Sequence, residues 1–157
     1  MTLVADIIAL ATERQIMIAT VESCTGGMIA AALTDVAGAS AVVERGYVTY
    51  TNKAKQDLVG VRAETLRAHG AVSEEVAAEM AAGALARSPV ALAVSVTGIA
   101  GPGGSEHKPE GRVCFGLSSA LGTQTETVEF GALGRTQVRT ASRDHALRLI
   151  LGHLQSA

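Results

Sequence analysis

The sequence has no tryptophan, and its only aromatic residues are two tyrosines and two phenylalanines. Hydrophobic residues nevertheless make up 48% of the 157 residues, so the chain is not expected to be disordered. A core with so few aromatic rings must be built from Ala, Val, Leu and Ile, which suits helices packed on a sheet. The length predicts one domain, residues 1–157, because the chain is too short for two domains that each bury a sufficient core.

Cysteine is also scarce. Cys24 and Cys114 are the only two, which is too few for a disulfide framework, and a reducing cytoplasm is the expected compartment. The four histidines, at positions 69, 107, 145 and 153, show no metal-ligand spacing with these cysteines. The sequence therefore predicts neither a metal site nor a cofactor.

An excess of basic charge is missing as well. The chain carries 13 basic and 15 acidic residues, a net charge of −2, which gives no electrostatic footprint for nucleic acid or an anionic membrane. The longest apolar runs, such as 89–96, are too short to span a bilayer, and Asp6 interrupts any secretory signal. The expected partner is a small molecule, and any anionic ligand must be held by a local site.

Helical and strand patterns alternate along the chain. Helical spacing or capping signals predict helices, and runs of β-branched or apolar residues predict strands. The predicted helices are 2–14, 28–36 with Gly38 ending it, 52–58, 63–68, 74–87 and 135–154. The predicted strands are 16–21, 45–51, 90–97, 112–119 and 123–130, the last two forming a hairpin. This order predicts an α/β fold, a three-layer α/β/α sandwich around a mostly parallel sheet of five strands.

The stretch from Thr20 to Gly27 joins the first strand to the helix at Met28 and contains two potential nucleophiles, Ser23 and Cys24. A strand-to-helix corner exposes backbone N–H groups that have no partner within the helix, and glycine allows a ligand to come close to them. Ligands of such sheets bind beyond the carboxyl ends of parallel strands. We therefore expect the corner, the end of the second strand and the glycine-rich loop 98–111 to meet at one site.

Ser23 needs a base to remove its proton, and no histidine lies near it in sequence. Lys55 falls one turn into a helix that begins at the same sheet edge, and Tyr50 ends the strand before it. A lysine base must be neutral, so its pKa must fall from about 10.4 toward about 7–8. The alternative from spacing alone is that Ser23 caps a helix while Lys55 and Tyr50 are ordinary surface residues.

Other candidate groups have two interpretations each. Cys24 is either a rival nucleophile or a small buried apolar residue, and Cys114, in mid-strand, is expected only to pack. Arg135 and Arg139 lie one turn apart and either clamp a phosphate or remain solvated, and the same holds for Lys108. The glycine-rich loop is not a P-loop, because no Gly-Lys-Ser/Thr follows it.

Four ordered motifs resemble the CinA C-terminal domain family, from about residue 5 to residue 154. They are Glu22-Ser23-Cys24-Thr25-Gly26-Gly27, Gly46 to Asn52 with Lys55, Gly70 to Ala77, and Thr97 to Pro102 with Lys108, Pro109 and Gly111. The family commonly has Gly-Asp-Arg before its last helix, where this chain has Leu133-Gly134-Arg135. The glycine-rich loop is also about one residue shorter than usual in the family.

The resemblance implies a nicotinamide mononucleotide deamidase of pyridine-nucleotide salvage that works without metal and is usually a dimer. It also implies a five-stranded mixed sheet with one antiparallel strand. Carried over by position, it implies Ser23 as nucleophile, Lys55 as general base and Tyr50 as the assisting hydroxyl. Many members carry an additional N-terminal pyrophosphatase-like domain, so this chain resembles a stand-alone form.

Two hypotheses of different classes follow. In the leading one, the chain is a serine amidohydrolase in which N–H groups around Thr25, Gly26 and Gly27 hold the oxyanion. The 5′-phosphate and ribose are then expected at Arg135, Arg139 and the segment containing Thr97, Gly98 and Gly101. The alternative is a non-catalytic nucleotide-binding regulatory module of a competence- or damage-associated system. A DNA-associated role conflicts with the charge balance.

Overall fold

The computed structural model describes residues 2–156, which form six α-helices and five β-strands. The helices are α1 (Thr2–Arg14), α2 (Met28–Thr34), α3 (Asn52–Val59), α4 (Ala63–His69), α5 (Glu74–Arg87) and α6 (Arg135–Ser156). The strands are β1 (Ile18–Glu22), β2 (Val43–Val48), β3 (Leu92–Gly98), β4 (Arg112–Ser119) and β5 (Gly122–Glu129). A 3-10 turn at Ala39–Ala41 precedes β2.

The strands form one sheet in the order β2-β1-β3-β4-β5. β1 pairs in parallel with β2 and β3, whereas β4 runs antiparallel to both β3 and β5. Four strands therefore point the same way and only β4 is reversed. The carboxyl ends of β1, β2 and β3 lie at one edge, and the segments that follow them meet there.

Helices cover both faces of the sheet, because alternate residues of the central strands are buried on opposite sides. Ile18 of β1 and Leu92 of β3 pack in one core cluster with apolar residues of α1, α2 and α6. Ala19 and Ala93 pack on the other face in a cluster that includes Val76 of α5. The three-layer α/β/α sandwich with one antiparallel strand, expected from the sequence, is confirmed.

Several boundaries differ from the prediction. The second strand was predicted at 45–51 but ends at Val48, because its parallel partner β1 ends at Glu22, which lies opposite Val48. The helix predicted to reach Val36 ends at Thr34, and Gly38, with φ of 93°, begins the 3-10 turn instead of ending that helix. The shortened strand leaves Tyr50 in the connection to α3, beside the corner after β1.

The longest helix, α6, has 22 residues and packs on the sheet through positions such as Val138, Leu147 and Ile150. Leu149 and Leu151, which are partly buried, pack against the same core cluster, whereas Arg148 is exposed. Within the described range 2–156, none of the helices has both the length and the apolar character needed to cross a bilayer.

The contact between α3 and α5 gives a stability prediction. A Cβ atom at Gly83 would overlap the backbone carbonyl of Val59, whereas a Cβ at exposed Gly152 would meet nothing within 4 Å. We expect Gly83→Ala to lower the free energy of unfolding by about 1–3 kcal/mol, because two backbones must move apart. The matched variant Gly152→Ala should raise it by about 0.5–1 kcal/mol, because alanine is the better helix former.

Urea denaturation of both variants beside the parent chain measures the two changes. A stabilised Gly83→Ala chain would contradict the close packing of α3 on α5.

Candidate active site

Ser23 lies directly after β1, at a corner held by backbone hydrogen bonds. Its N–H donates to the Val96 carbonyl of β3 at 3.0 Å, and its own carbonyl accepts from Gly26 N at 3.1 Å. Gly26 and Gly27 have φ values of 58° and 109°, which glycine adopts without the strain of a side chain. The corner is therefore a tight, fixed turn that presents Ser23 at the carboxyl edge of the sheet.

The buried carboxylate of Glu22 stabilises this corner through three hydrogen bonds. It accepts hydrogen bonds from Ile29 N at 2.9 Å, Ala30 N at 3.0 Å and the Thr25 hydroxyl at 2.6 Å. These bonds satisfy N–H groups at the start of α2 that have no partner within the helix. The sequence predicted no role for Glu22, because the helix begins only at Met28 and a carboxylate seven residues before the amide that it binds matches no local capping pattern.

Lys55 is brought to Ser23 by α3. The Thr51 side chain accepts from Ala54 N at 3.0 Å and begins the helix, which places Lys55 one turn inside it. The Lys55 side chain is only 1% exposed, and its Nζ lies 3.0 Å from Ser23 Oγ. The structure thus joins the two residues that the sequence predicted as nucleophile and base.

Two backbone carbonyls complete the surroundings of the amine. Lys55 Nζ donates to Thr49 O at 2.9 Å and to Tyr50 O at 3.2 Å. A neutral amine has two N–H bonds and one lone pair. With its two N–H bonds directed at these carbonyls, the lone pair is left to accept the proton of the Ser23 hydroxyl.

Burial favours that neutral form. Desolvation lowers the pKa of Lys55 from 10.5 to about 8, although the nearby Cys24 and Glu106 act in the opposite direction. The shift is the one that the sequence reasoning required of a lysine base. A substantial fraction of the amine is therefore neutral near pH 8.

The surroundings of Cys24 favour its interpretation as a small buried apolar residue over its interpretation as a nucleophile. Its thiol is 6% exposed, and burial raises its pKa from 9.0 to about 11. The thiol is therefore protonated at neutral pH, when only a thiolate would be an effective nucleophile. Cys114 is buried in β4, and its pKa is raised chiefly by burial.

Tyr50 lines the cavity and contributes its backbone carbonyl to this arrangement, while its hydroxyl is bonded to Arg135. The side chain is 56% exposed, and its hydroxyl accepts a hydrogen bond from Arg135 Nη2 at 2.9 Å. Its backbone carbonyl also lies 3.4 Å from Ser23 Oγ. The assisting role of the Tyr50 hydroxyl stays a prediction.

A cavity of about 340 Å³ opens above Ser23 and Lys55. Four of the predicted substrate-binding residues line it, namely Thr97, Gly98, Gly101 and Arg135. Residues that the sequence reasoning did not select also line it, including Asn52, Val72 and Glu106. Val72 lies in the α4–α5 connection and Glu106 at the tip of the glycine-rich loop. These two segments are far apart in sequence, so no local sequence pattern predicts that they come together.

The other four predicted substrate-binding residues are not part of the cavity lining. Thr25 is buried against Glu22, and Gly26 and Gly27 form the turn. Arg139 donates from Nε to Cys24 O at 3.0 Å and from Nη2 to Thr25 O at 3.3 Å. These contacts tie α6 to the corner, and direct substrate contacts of the four residues stay predictions.

Lys108 is half-buried and does not line the cavity. Its Nζ donates to His69 O at 2.7 Å and to Val72 O at 2.5 Å. The lysine therefore anchors the tip of the glycine-rich loop to the segment between α4 and α5.

Within residues 2–156, no three His, Cys, Asp or Glu side chains come together as a set that could hold a metal ion.

Comparisons with known proteins give consistent matches. The family model described as the CinA C-terminal domain matches residues 1–154. The "nicotinamide-nucleotide amidohydrolase PncC" of Escherichia coli K12 is 50% identical over 134 residues, covering 85% of this chain and 81% of that protein. A "CinA-like protein" of Chlorobium phaeobacteroides is 51% identical over 153 residues, and the match covers 94% of this chain but only 36% of that longer protein.

A solved structure matches equally well. The crystal structure of the competence/damage inducible protein CihA from Agrobacterium tumefaciens superposes with a TM-score of 0.94 at 49% identity. The match covers 98% of this chain and 94% of that one.

The Ser23–Lys55 pair predicts pH-dependent reactivity that requires no substrate. Ser23 should be phosphonylated by an alkyl fluorophosphonate at a rate that rises with pH and levels off above about pH 8, because below this pKa Lys55 is protonated and cannot accept a proton. Lys55→Met should abolish the reaction. The matched variant Lys53→Met, on the exposed face of the same helix, should react like the parent chain.

Mass spectrometry of the labelled peptide gives the rate and the site. Equal labelling of the Lys55→Met and Lys53→Met chains would show that Lys55 is not the base.

Proposed function

We propose that this chain, which belongs to the CinA C-terminal domain family, hydrolyses the carboxamide of nicotinamide mononucleotide to nicotinate mononucleotide and ammonia. The observation that carries the proposal is the buried Lys55 amine 3.0 Å from Ser23 Oγ at the base of a cavity. The name of the E. coli relative supports the substrate. A place in pyridine-nucleotide salvage, a homodimer and a cytoplasmic location stay predictions.

The reaction begins with attack of Ser23 Oγ on the carboxamide carbon while Lys55 Nζ accepts the hydroxyl proton. The carbonyl oxygen becomes an oxyanion. The sequence predicted its donors among the N–H groups from Thr25 to Gly27. Gly26 N–H is donated to the Ser23 carbonyl and neither Thr25 nor Gly27 lines the cavity, so this role of the corner stays a prediction. One such donor is worth about 3–4 kcal/mol in the transition state.

The carbon–nitrogen bond then breaks, and ammonia leaves with the proton that Lys55 returns. The product of this step is an ester between nicotinate mononucleotide and Ser23. Water attacks the ester carbon as Lys55 accepts a proton from it. Collapse of the second intermediate breaks the bond to Ser23 Oγ, which recovers its proton from Lys55.

Arg135 is the residue we assign to the 5′-phosphate. It lines the cavity, and its Nη1 donates to Gly101 O at 2.6 Å while Nη2 holds the Tyr50 hydroxyl. The guanidinium is therefore fixed in place and still has donors to offer. Lys55 also lines the cavity as a cation when protonated, but its donors are directed at Ser23 and the two carbonyls.

The first test is ammonia release from nicotinamide mononucleotide, measured with a chelator present. The parent chain should release ammonia, and Ser23→Ala should release none while still binding the nucleotide. Cys24→Ala should retain activity within about tenfold, because its buried thiol takes no part in the chemistry. Activity in Ser23→Ala together with its loss in Cys24→Ala would transfer the nucleophile role to Cys24.

Binding of the nucleotide by a folded parent chain that releases no ammonia would favour the regulatory-module alternative.

A second test addresses the phosphate. Arg135→Gln should weaken the kcat/KM for nicotinamide mononucleotide by about 10- to 100-fold, the expected loss for one charge-assisted contact. It should leave the kcat/KM for nicotinamide riboside, which lacks the phosphate, nearly unchanged. An equal loss for both substrates would mean that Arg135 acts only by holding the Gly101 carbonyl and the Tyr50 hydroxyl.

A further inference from the structure

The side chain of Glu110, near the end of the glycine-rich loop, connects two segments that are far apart in sequence. Its Oε1 accepts a hydrogen bond from Gly103 N at 2.7 Å, and its Oε2 accepts one from Gly134 N at 3.0 Å. Glu110 is half-buried and is not among the residues that line the cavity. It therefore acts on the backbone behind the cavity wall.

Both amides lie outside regular secondary structure. Gly103 and Gly134 have φ values of 77° and 95°, so neither belongs to a helix or strand ladder that would hold its N–H. An ionised carboxylate makes stronger hydrogen bonds to such groups than a neutral acceptor does. The side chain also packs closely on Gly101, where an added Cβ would lie 2.6 Å from Glu110 Cδ.

The two connected segments are those that form the upper cavity wall. Gly101 and Gly103 line the cavity, and Gly134 directly precedes Arg135. Arg135 in turn donates to the carbonyl of Gly101 at 2.6 Å. The loop and the start of α6 are therefore connected twice, once through the Glu110 side chain and once through the Arg135 side chain.

We propose that Glu110 is a positioning residue that fixes the glycine-rich wall and Arg135 relative to each other, and so sets the affinity for the nucleotide part of the substrate. The proposal rests on the function proposed above. The family that the sequence resembles commonly has an acidic residue where this chain has Gly134. Glu110 brings a carboxylate to the backbone of that same residue.

The effect should fall on binding and spare the chemical step. Ser23 and Lys55 are held by β1, β3 and α3, and Glu110 makes no hydrogen bond to either of them. Loss of the carboxylate should therefore raise KM and leave kcat nearly constant, provided that substrate dissociation is fast.

Steady-state kinetics on three variants tests this division. Glu110→Ala should raise the KM for nicotinamide mononucleotide about tenfold, with kcat within about twofold of the parent value. Glu110→Gln should have a KM between those of the parent chain and Glu110→Ala, because its amide keeps one acceptor oxygen but places an NH2 group against the other backbone N–H. The control is Glu13→Gln, which removes an exposed carboxylate from α1 and should match the parent chain.

A second measurement does not depend on catalysis. Hydrogen exchange followed by NMR should show faster exchange at the Gly103 and Gly134 amides in Glu110→Ala, with the Ile29 amide, bonded to Glu22, unaffected. A purely global loss of stability would accelerate all three together.

Unchanged exchange at Gly103 and Gly134 would overturn the proposal, as would a KM equal to that of Glu13→Gln. A fall in kcat without a rise in KM would overturn it too. If the parent chain releases no ammonia, the proposed function is wrong, but that result does not decide the role of Glu110. The exchange measurement, with calorimetric binding of the mononucleotide in place of KM, then still decides the role of Glu110.

Discussion

The site depends on one buried amine. Lys55 is surrounded by a hydroxyl and two backbone carbonyls, and no carboxylate forms an ion pair with it among the described residues. Between pH values of about 8 and 10.5 the unfolded chain binds more protons at this lysine than the folded one does. The free energy of unfolding contributed by Lys55 therefore rises with pH across this window, and at neutral pH the group destabilises the fold. The reactive form of the base is maintained at the expense of stability.

Regular geometry fixes what surrounds the amine. β1 ends at Glu22, opposite Val48 of β2, so the chain leaves both strands side by side. The Thr49 N–H still donates to Glu22 O at 2.9 Å, after which the carbonyls of Thr49 and Tyr50 are directed at Lys55. Because these carbonyls belong to the backbone, their positions are set by the sheet and the start of α3, and no side-chain substitution removes them.

This distinction explains how much of the site the sequence could predict. Ser23 and Lys55 were predictable, because a strand-to-helix corner and a helix start after the neighbouring strand must meet at the carboxyl edge of a parallel sheet. The bounds of α1, α5 and β4 were predicted to the residue, since caps and periodicity define them locally. The carbonyl of Tyr50, by contrast, has no sequence signature, and the bonds from Arg139 to Cys24 O and Thr25 O span more than a hundred residues. Two arginines one turn apart look alike in sequence, and only the packing of α6 directs one to the cavity wall and the other to the corner.

The reversed direction of β4 has a further consequence. The glycine-rich loop leaves β3 and enters β4 at the same edge of the sheet, and its base is closed by Ile99 N to Arg112 O at 2.9 Å and Gly111 N to Ile99 O at 2.8 Å. A loop whose two ends are joined in this way can gain or lose a residue without shifting the register of any strand. The upper wall of the cavity can therefore change in length and composition during evolution, while the floor that carries Ser23 and Lys55 keeps its geometry. A fixed reaction centre beneath a replaceable cover gives such a scaffold a direct route to new substrates.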